Sequence, residues 1–446
     1  MTGAIRARRV LVDDVVRPAT VRFADGAVTA IEPYETDAGG GTGDTVDVPD
    51  TAYLLPGAVD THVHINEPGR THWEGFATAT RAAALGGITA LVDMPLNSIP
   101  PTTTVANLAR KQQAARGQLA VDVGFWGGAV PGNVADLAPL WDAGVLGFKC
   151  FLSPSGVEEF PSLDAGQFRQ ALRRVAELDA LMIVHAEHPA VLETAPAPPS
   201  RAYADFLSSR PHEAELHAIE LVVDGARETG ARVHVVHLSS ARALPLLQAA
   251  RAEGLPVTVE TCPHYLTFEA GQIPDAAPQF KCCPPIRDAG NREELWSALV
   301  DGVIDCVVSD HSPTTVEEKA RGGGDLQQAW GGISSLQVAF PVVAAEAARR
   351  GIDLATVHRW MSRGPADLVG WGHKGRIAVG ADADLVVYDT AADTAVTAQQ
   401  LAHRNPISAY DGRTWPGRVT GTWVRGRAVD PDTPDRTWGA QLGRVS

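Results

Sequence analysis

Six side chains able to hold a metal or move a proton stand at the ends of apolar runs. They are His62 and His64 in Asp60-Thr-His-Val-His64, Lys149 in Gly147-Phe-Lys-Cys-Phe151, His185 in Val184-His-Ala-Glu187, His237 in Val233-His-Val-Val-His237, and Asp310 in Ser309-Asp-His-Ser-Pro313. The i, i+2 spacing of His62 and His64 turns both rings to one face of an extended segment. Each residue alone has an ordinary explanation, such as a packed histidine or a lysine whose stem lies along apolar surface. Their arrival together at five run ends does not. Four imidazoles, one carboxylate and one lysine are the inventory for two divalent cations with a shared bridging ligand. An ammonium cannot bridge cations, but a neutral amine can add CO2 and become a carbamate with two donor oxygens. Burial lowers a lysine pKa and favours that neutral form.

The elements that must position these groups follow from the apolar runs. Leu54–His62, Ile88–Asp93, Ala120–Gly124, Gly147–Phe151, Leu181–His185, Val233–His237, Val257–Glu260 and Val303–Asp310 read as buried strands. Helical segments such as Phe168–Leu178, Glu213–Thr229 and Ala241–Glu253 intervene. Strand–helix alternation of this kind predicts an α/β fold, a (β/α)8 barrel whose chemistry sits at the C-terminal ends of the strands. A doubly wound open sheet shares the periodicity, but no G-x-G-x-x-G follows an early run. Both chain ends read as β. Arg9–Val12, Thr20–Phe23, Val28–Ile31 and Val46–Val48 precede the barrel, broken by the loop Gly39–Asp44; Gly375–Gly380, Ala383–Tyr388 and Val419–Arg425 follow it. The expected organisation is one small β-sandwich built from 1–54 and 373–446, around a barrel over 55–372.

Composition narrows the partners. With 38 Lys+Arg against 53 Asp+Glu in 446 residues, the net charge of −15 argues against binding nucleic acid or an anionic membrane surface. With 45% apolar and 20% charged residues, the chain is not a disordered acidic one. No uncharged run approaches a membrane span, and the N-terminal residues reach Asp13-Asp14 before any apolar signal segment forms. Five irregularly spaced cysteines fit a reducing compartment better than a disulfide framework, so a cytoplasmic protein is expected.

Longer motifs then stand out. His62-Val-His-Ile-Asn-Glu-Pro-Gly69, Trp73-Glu-Gly75, Ala82–Thr89, Met94-Pro-Leu-Asn97, Gly147–Phe151, Cys262-Pro-His-Tyr265, Pro284-Pro-Ile-Arg287, Val308–Pro313 and Gly375–Leu385 occur in one order along the chain. In these motifs the chain resembles the cyclic amidohydrolases of the amidohydrolase superfamily over nearly its whole length, and within them the allantoinase branch. The resemblance implies a binuclear zinc-type centre, with iron, cobalt or manganese as alternatives. His62 and His64 would bind one metal, His185 and His237 the other. Carbamylated Lys149 would bridge them, and Asp310 would bind the first metal. It implies that a metal-activated water attacks a ring amide while Asp310, as general base, takes its proton and returns it to the departing nitrogen. The substrate implied is a small molecule, allantoin, and the assembly a homotetramer.

Departures from neighbouring branches sharpen this reading. Dihydroorotases carry Arg in H-x-H-x-R to hold the substrate carboxylate; here that position is Asn66, and nothing nearby replaces the guanidinium fork. Dihydropyrimidinases and hydantoinases place a tyrosine donor five residues after the bridging lysine; here Pro154 offers neither hydroxyl nor N–H. Asn97 and Cys283 are candidate substrate contacts, Asn97 through its amide and Cys283 through its backbone. His264 and His311 could orient ligands. His234 is expected to face away from His237 and to pack, and the remaining histidines carry no assignment. The alternatives are a hydantoinase or dihydropyrimidinase acting on another ring, and a non-catalytic scaffold. The filled ligand positions oppose the scaffold.

Overall fold

The computed structural model describes residues 2–35, 45–430 and 437–444. The expected loop Gly39–Asp44 lies outside them. Eight short strands form the barrel: Ala58–Val63, Ile88–Asp93, Asp122–Phe125, Phe148–Phe151, Leu181–His185, Arg232–Val235, Val257–Thr261 and Cys306–Val307. Successive strands pair in parallel, the third continuing as Gly127–Gly128 to meet Phe148 and Lys149. A parallel bridge between Val63 and His311, with His64 N–H donating to the His311 carbonyl at 2.8 Å, closes the circle.

The strands read as unbroken apolar runs because both faces are covered, one by the barrel interior and one by helices. Ile88–Asp93 is buried at all six positions. Outside, Ala165–Glu177 begins at a capping box between Asp164 and Gln167 and buries Phe168, Ala171, Leu172 and Val175, the i, i+3, i+4, i+7 stripe of a helix lying on a sheet.

The first expected strand is divided. Ala52–Pro56 belongs to a different sheet, and the barrel strand begins only at Ala58. Between them a Cβ on Gly57 would lie 2.0 Å from Thr89 Oγ1, so the crossing needs glycine. The other sheet takes strands from both chain ends. Its order runs Arg427–Ala428, Thr414–Val424, Leu385–Ala395, Ala52–Pro56, Thr2–Val12, Val15–Ala24, Ala27–Glu32, with Thr45–Asp47 on Thr2–Val12. An antiparallel bridge from Ala27 to Asp382 folds the sheet back over its own core of Ile5, Val10, Val21, Leu54 and Leu385. Gly375–Gly380, expected as a strand, is a turn segment; Gly380 N–H donates to Val28 O.

Sheet and barrel meet at a buried ion cluster. Lys374 Nζ lies 2.6 Å from Asp122, at the start of the third barrel strand, and 2.7 Å from both Asp382 and Asp384, which lead into the sheet. Burial opposes the lysine charge, but the three carboxylates outweigh it and hold the pKa above the ordinary value. Arg425 adds a second cation on Asp122. Removing the central cation strands buried carboxylates. Lys374→Met is expected to destabilise the protein by about 3–5 kcal/mol, read as a lower urea midpoint. An unchanged midpoint would mean that the cluster does not tie sheet to barrel.

Candidate metal centre

The eight candidate ligand and substrate-contact residues line one cavity of about 370 Å³ at the C-terminal mouth of the barrel: His62, His64, Asn97, Lys149, His185, His237, Cys283 and Asp310. His62 ends the first strand with Nε2 3.1 Å from Asp310 Oδ1, outside hydrogen-bonding geometry. His64 Nε2 lies 3.7 Å from the same oxygen, and His62, His64 and Asp310 offer ligand atoms all within 4.8 Å of one another. Across the mouth, His185 Nδ1 faces His237 Nε2 at 3.0 Å. Burial first, and neighbouring cations second, lower the pKa of His64 and His237; burial also lowers that of His185, against the pull of Glu187. Imidazole nitrogens facing one another and converging on a carboxylate form a donor set suited to cations.

Lys149 provides a second test of that fit. Three lysines are fully buried: Lys111, Lys149 and Lys374. Lys111 sits 2.6 Å from Asp93, and Lys374 has its three aspartates. Among the described residues, Lys149 has no carboxylate within ion-pair distance, and burial lowers its pKa to about 8 despite the pull of Glu260 and Asp310. An unpaired buried amine beside four imidazoles fits carbamylation and a bridging role better than a structural ion pair.

Three of these residues adopt a left-handed backbone: Asn97, His237 and Asp310, with φ of 61°, 41° and 43°. The sixth strand stops at Val235, so the backbone turn rather than strand alternation aims His237 into the cavity.

The residues orienting the rings are largely ones the sequence reading did not single out. Glu260, on the seventh strand, contacts His62 Nδ1, accepts from the His237 backbone N–H at 3.3 Å, and lies 2.9 Å from His234 Nε2. Burial raises its pKa, but the two imidazoles outweigh burial and keep it below the carboxylate range. His234 therefore does more than pack: its Nδ1 meets Thr258 Oγ1 at 2.8 Å and its other nitrogen fixes Glu260. Glu187 lies 2.8 Å from His185 Nε2 and takes Arg210 at 2.9 and 2.5 Å. Burial opposes its charge, yet Arg210 and His185 bring its pKa down to about 2. The His311 ring lies 3.2 Å from Glu74 and accepts from the Ser335 backbone, while the His264 ring makes no hydrogen bond, packs against Tyr265 and brings a nitrogen within 4.8 Å of Asp310. The Asn97 amide lies 3.5 Å from His64 Nδ1, so it supports a ligand as well as facing the cavity. Asn66 is fully buried, donating to Pro313 O at 3.2 Å, and does not line the cavity.

Residues 53–429 match the model of the amidohydrolase family. The chain belongs to that family. An allantoinase from Streptomyces avermitilis is 54% identical over 96% of this chain and 95% of its own. One from Saccharomyces cerevisiae is 46% identical, with 96% and 95% covered. Among solved structures, an L-hydantoinase (dihydropyrimidinase) from Arthrobacter aurescens superposes with a TM-score of 0.90 at 30% identity, covering 100% of this chain and 98% of that one. A D-hydantoinase from Thermus sp. gives 0.89 at 26%, with 99% of each covered.

In this amidohydrolase the carboxylate beneath the rings is directly testable. Glu260→Gln keeps the shape but removes the charge that holds His62 and His234. Divalent-cation affinity, measured by competition with a chromophoric chelator, is expected to fall about tenfold or more with the circular dichroism unchanged. Unaltered affinity would show that Glu260 does not set the ligand geometry.

Proposed function

We propose that this chain hydrolyses the hydantoin-ring amide of allantoin to give allantoate. The observation that carries the reading is the gathering of four imidazoles, Asp310 and an unpaired buried lysine at one cavity mouth; the allantoinase relatives support the choice of ring. His62 and His64 would hold one divalent cation, His185 and His237 the other, with Asp310 on the first and a carbamate of Lys149 between them. The Lys149 nitrogen forms that carbamate by bonding the carbon of CO2 and losing a proton. Zinc, iron, cobalt or manganese suits this donor set; the bound cations would supply a water acidic enough to attack at neutral pH and would polarise the scissile carbonyl.

The remaining chemistry belongs to the protein's own groups. Asp310 sits within 4 Å of both His62 and His64 and receives a hydrogen bond from Ser312 Oγ at 3.1 Å, which aims it at the reacting centre. Burial raises its pKa, partly offset by His62 and Lys149. A carboxylate so raised accepts a proton from water and gives it up readily to the leaving nitrogen, which cannot depart as an anion. Leu96, Phe151 and Trp330 supply apolar walls for the ring faces. Pro154 lines the cavity where a tyrosine donor stands in the hydantoinase pattern, so oxyanion stabilisation falls to other groups.

We read 55–372 as the catalytic unit and 1–54 with 373–446 as its supporting sheet. Among the described residues no helix is long and apolar enough to cross a membrane. A cytoplasmic homotetramer acting on a small molecule fits the family resemblance, and sedimentation would measure the assembly.

Assaying allantoin, hydantoin, dihydrouracil and dihydroorotate side by side is expected to give allantoin the highest kcat/KM. Robust opening of another ring without allantoin turnover would overturn the assignment. Lys149→Ala is expected to lose activity and retained metal together, with partial recovery of both on adding short carboxylic acids. Full activity and about two metals per chain in the alanine variant would refute the bridging role.

A further inference from the structure

We propose that Arg210 recognises a carbonyl oxygen of the substrate remote from the scissile amide, and that it sets preference for a ring bearing such an arm. This rests on the allantoin reading and deepens it.

The starting point is how the guanidinium is held. Nε donates to Glu187 Oε1 at 2.9 Å and Nη2 to Glu187 Oε2 at 2.5 Å, a two-pronged contact that fixes the plane of the group. The backbone is fixed as well. Arg287 donates to the Arg210 carbonyl at 3.3 Å, and Arg287 is itself paired with buried Glu215 at 2.6 Å. Nη1 has no hydrogen-bond partner among the described residues, while Arg210 lines the cavity and keeps 21% of its side chain accessible. A rigid, charged donor is thus left with one nitrogen unused beside the site.

The other cations lining the cavity are unsuited to that task. Lys281 Nζ donates to the carbonyls of Gln327 and Ala329 at 3.2 and 2.6 Å. Arg321 is 52% exposed and pairs with Glu318 at the rim. Lys149 lies among the imidazoles. Arg210 is the remaining fixed donor, set back from the centre by Glu187 and the width of the His185 ring, whose far nitrogen faces His237. An oxygen reaching it must be carried on an arm extending from the ring being opened. The ureido carbonyl of allantoin has that chemistry, and unsubstituted hydantoin has no such arm.

Arg210 also holds the carboxylate that orients His185, so a purely structural role must be separated from recognition. Arg210→Lys keeps a cation for Glu187 but removes the planar fork; Arg210→Gln provides a second variant. With the wild-type holoenzyme and both variants, kcat/KM would be measured for allantoin and hydantoin, and bound metal would be counted. The expected result is a fall of about tenfold or more in the allantoin-to-hydantoin ratio, arising mainly in KM, with metal content retained. Equal losses on both rings, or an unchanged ratio, would overturn the proposal and leave Arg210 as a support for Glu187. Failure of the wild type to open allantoin would instead overturn the functional reading, and this inference with it.

Discussion

An amine buried without a counter-ion is costly, and Lys149 is placed where that cost becomes useful. In a dry interior the charged form is disfavoured, so the nitrogen is left closer to neutral, the state that reacts with CO2. The same burial lowers the pKa of His64, His185 and His237 and raises that of Asp310. One condition, burial of these side chains at the barrel mouth, therefore favours the uncharged lysine, lowers the pKa of three imidazoles and raises that of Asp310 together. The strands supply it by being buried on both faces, and the ligands stand at their ends because there alone the backbone opens to a cavity.

Burial by itself would leave the rings free to turn. Two anionic anchors prevent this: Glu260 beneath His62 and His234, and Glu187 beside His185. Both stay ionised although buried because cationic or hydrogen-bonding partners outweigh desolvation. The anchors differ in reach. Glu260 ties together the first, sixth and seventh strands, whereas Glu187 passes the connection outward to Arg210 at the entry of the helix His212–Thr229. The His185 ring and the cavity wall are consequently linked through a single carboxylate.

This arrangement explains what could be read from the chain. The candidate ligands were legible because all but Lys149 stand at the end of an apolar run, and Lys149 is a charge embedded in one. Glu260 also ends such a run, but its role lies in a contact with His62, 198 positions away, that no local spacing reports. Arg210 lies in a connecting segment with no periodicity, so nothing local marked its place beside the cavity. His234 was misjudged because alternation assumes a straight strand, and the chain leaves strand geometry before His237. The division at Gly57 likewise follows from contact with Thr89, a tertiary constraint.

The distribution of parts bears on how one scaffold serves several rings. Hydantoinase structures superpose on nearly all of this chain, yet relatives of much higher identity are allantoinases. Shared backbone and different rings are compatible if the groups that activate water lie on strands and those that read the substrate lie on loops. Pro154, Cys283, Trp330 and Arg210 all come from segments between the strands, while His62, Lys149 and His185 lie within strands and His64, His237 and Asp310 follow within three residues of strand ends. A loop residue can change without moving the cations only if it does not support a ligand. Pro154 meets that condition, since its ring makes no side-chain hydrogen bond. Arg210 does not, because it holds Glu187. Preference enforced through Arg210 is therefore harder to alter than preference enforced through Pro154, since any replacement must also keep His185 in place.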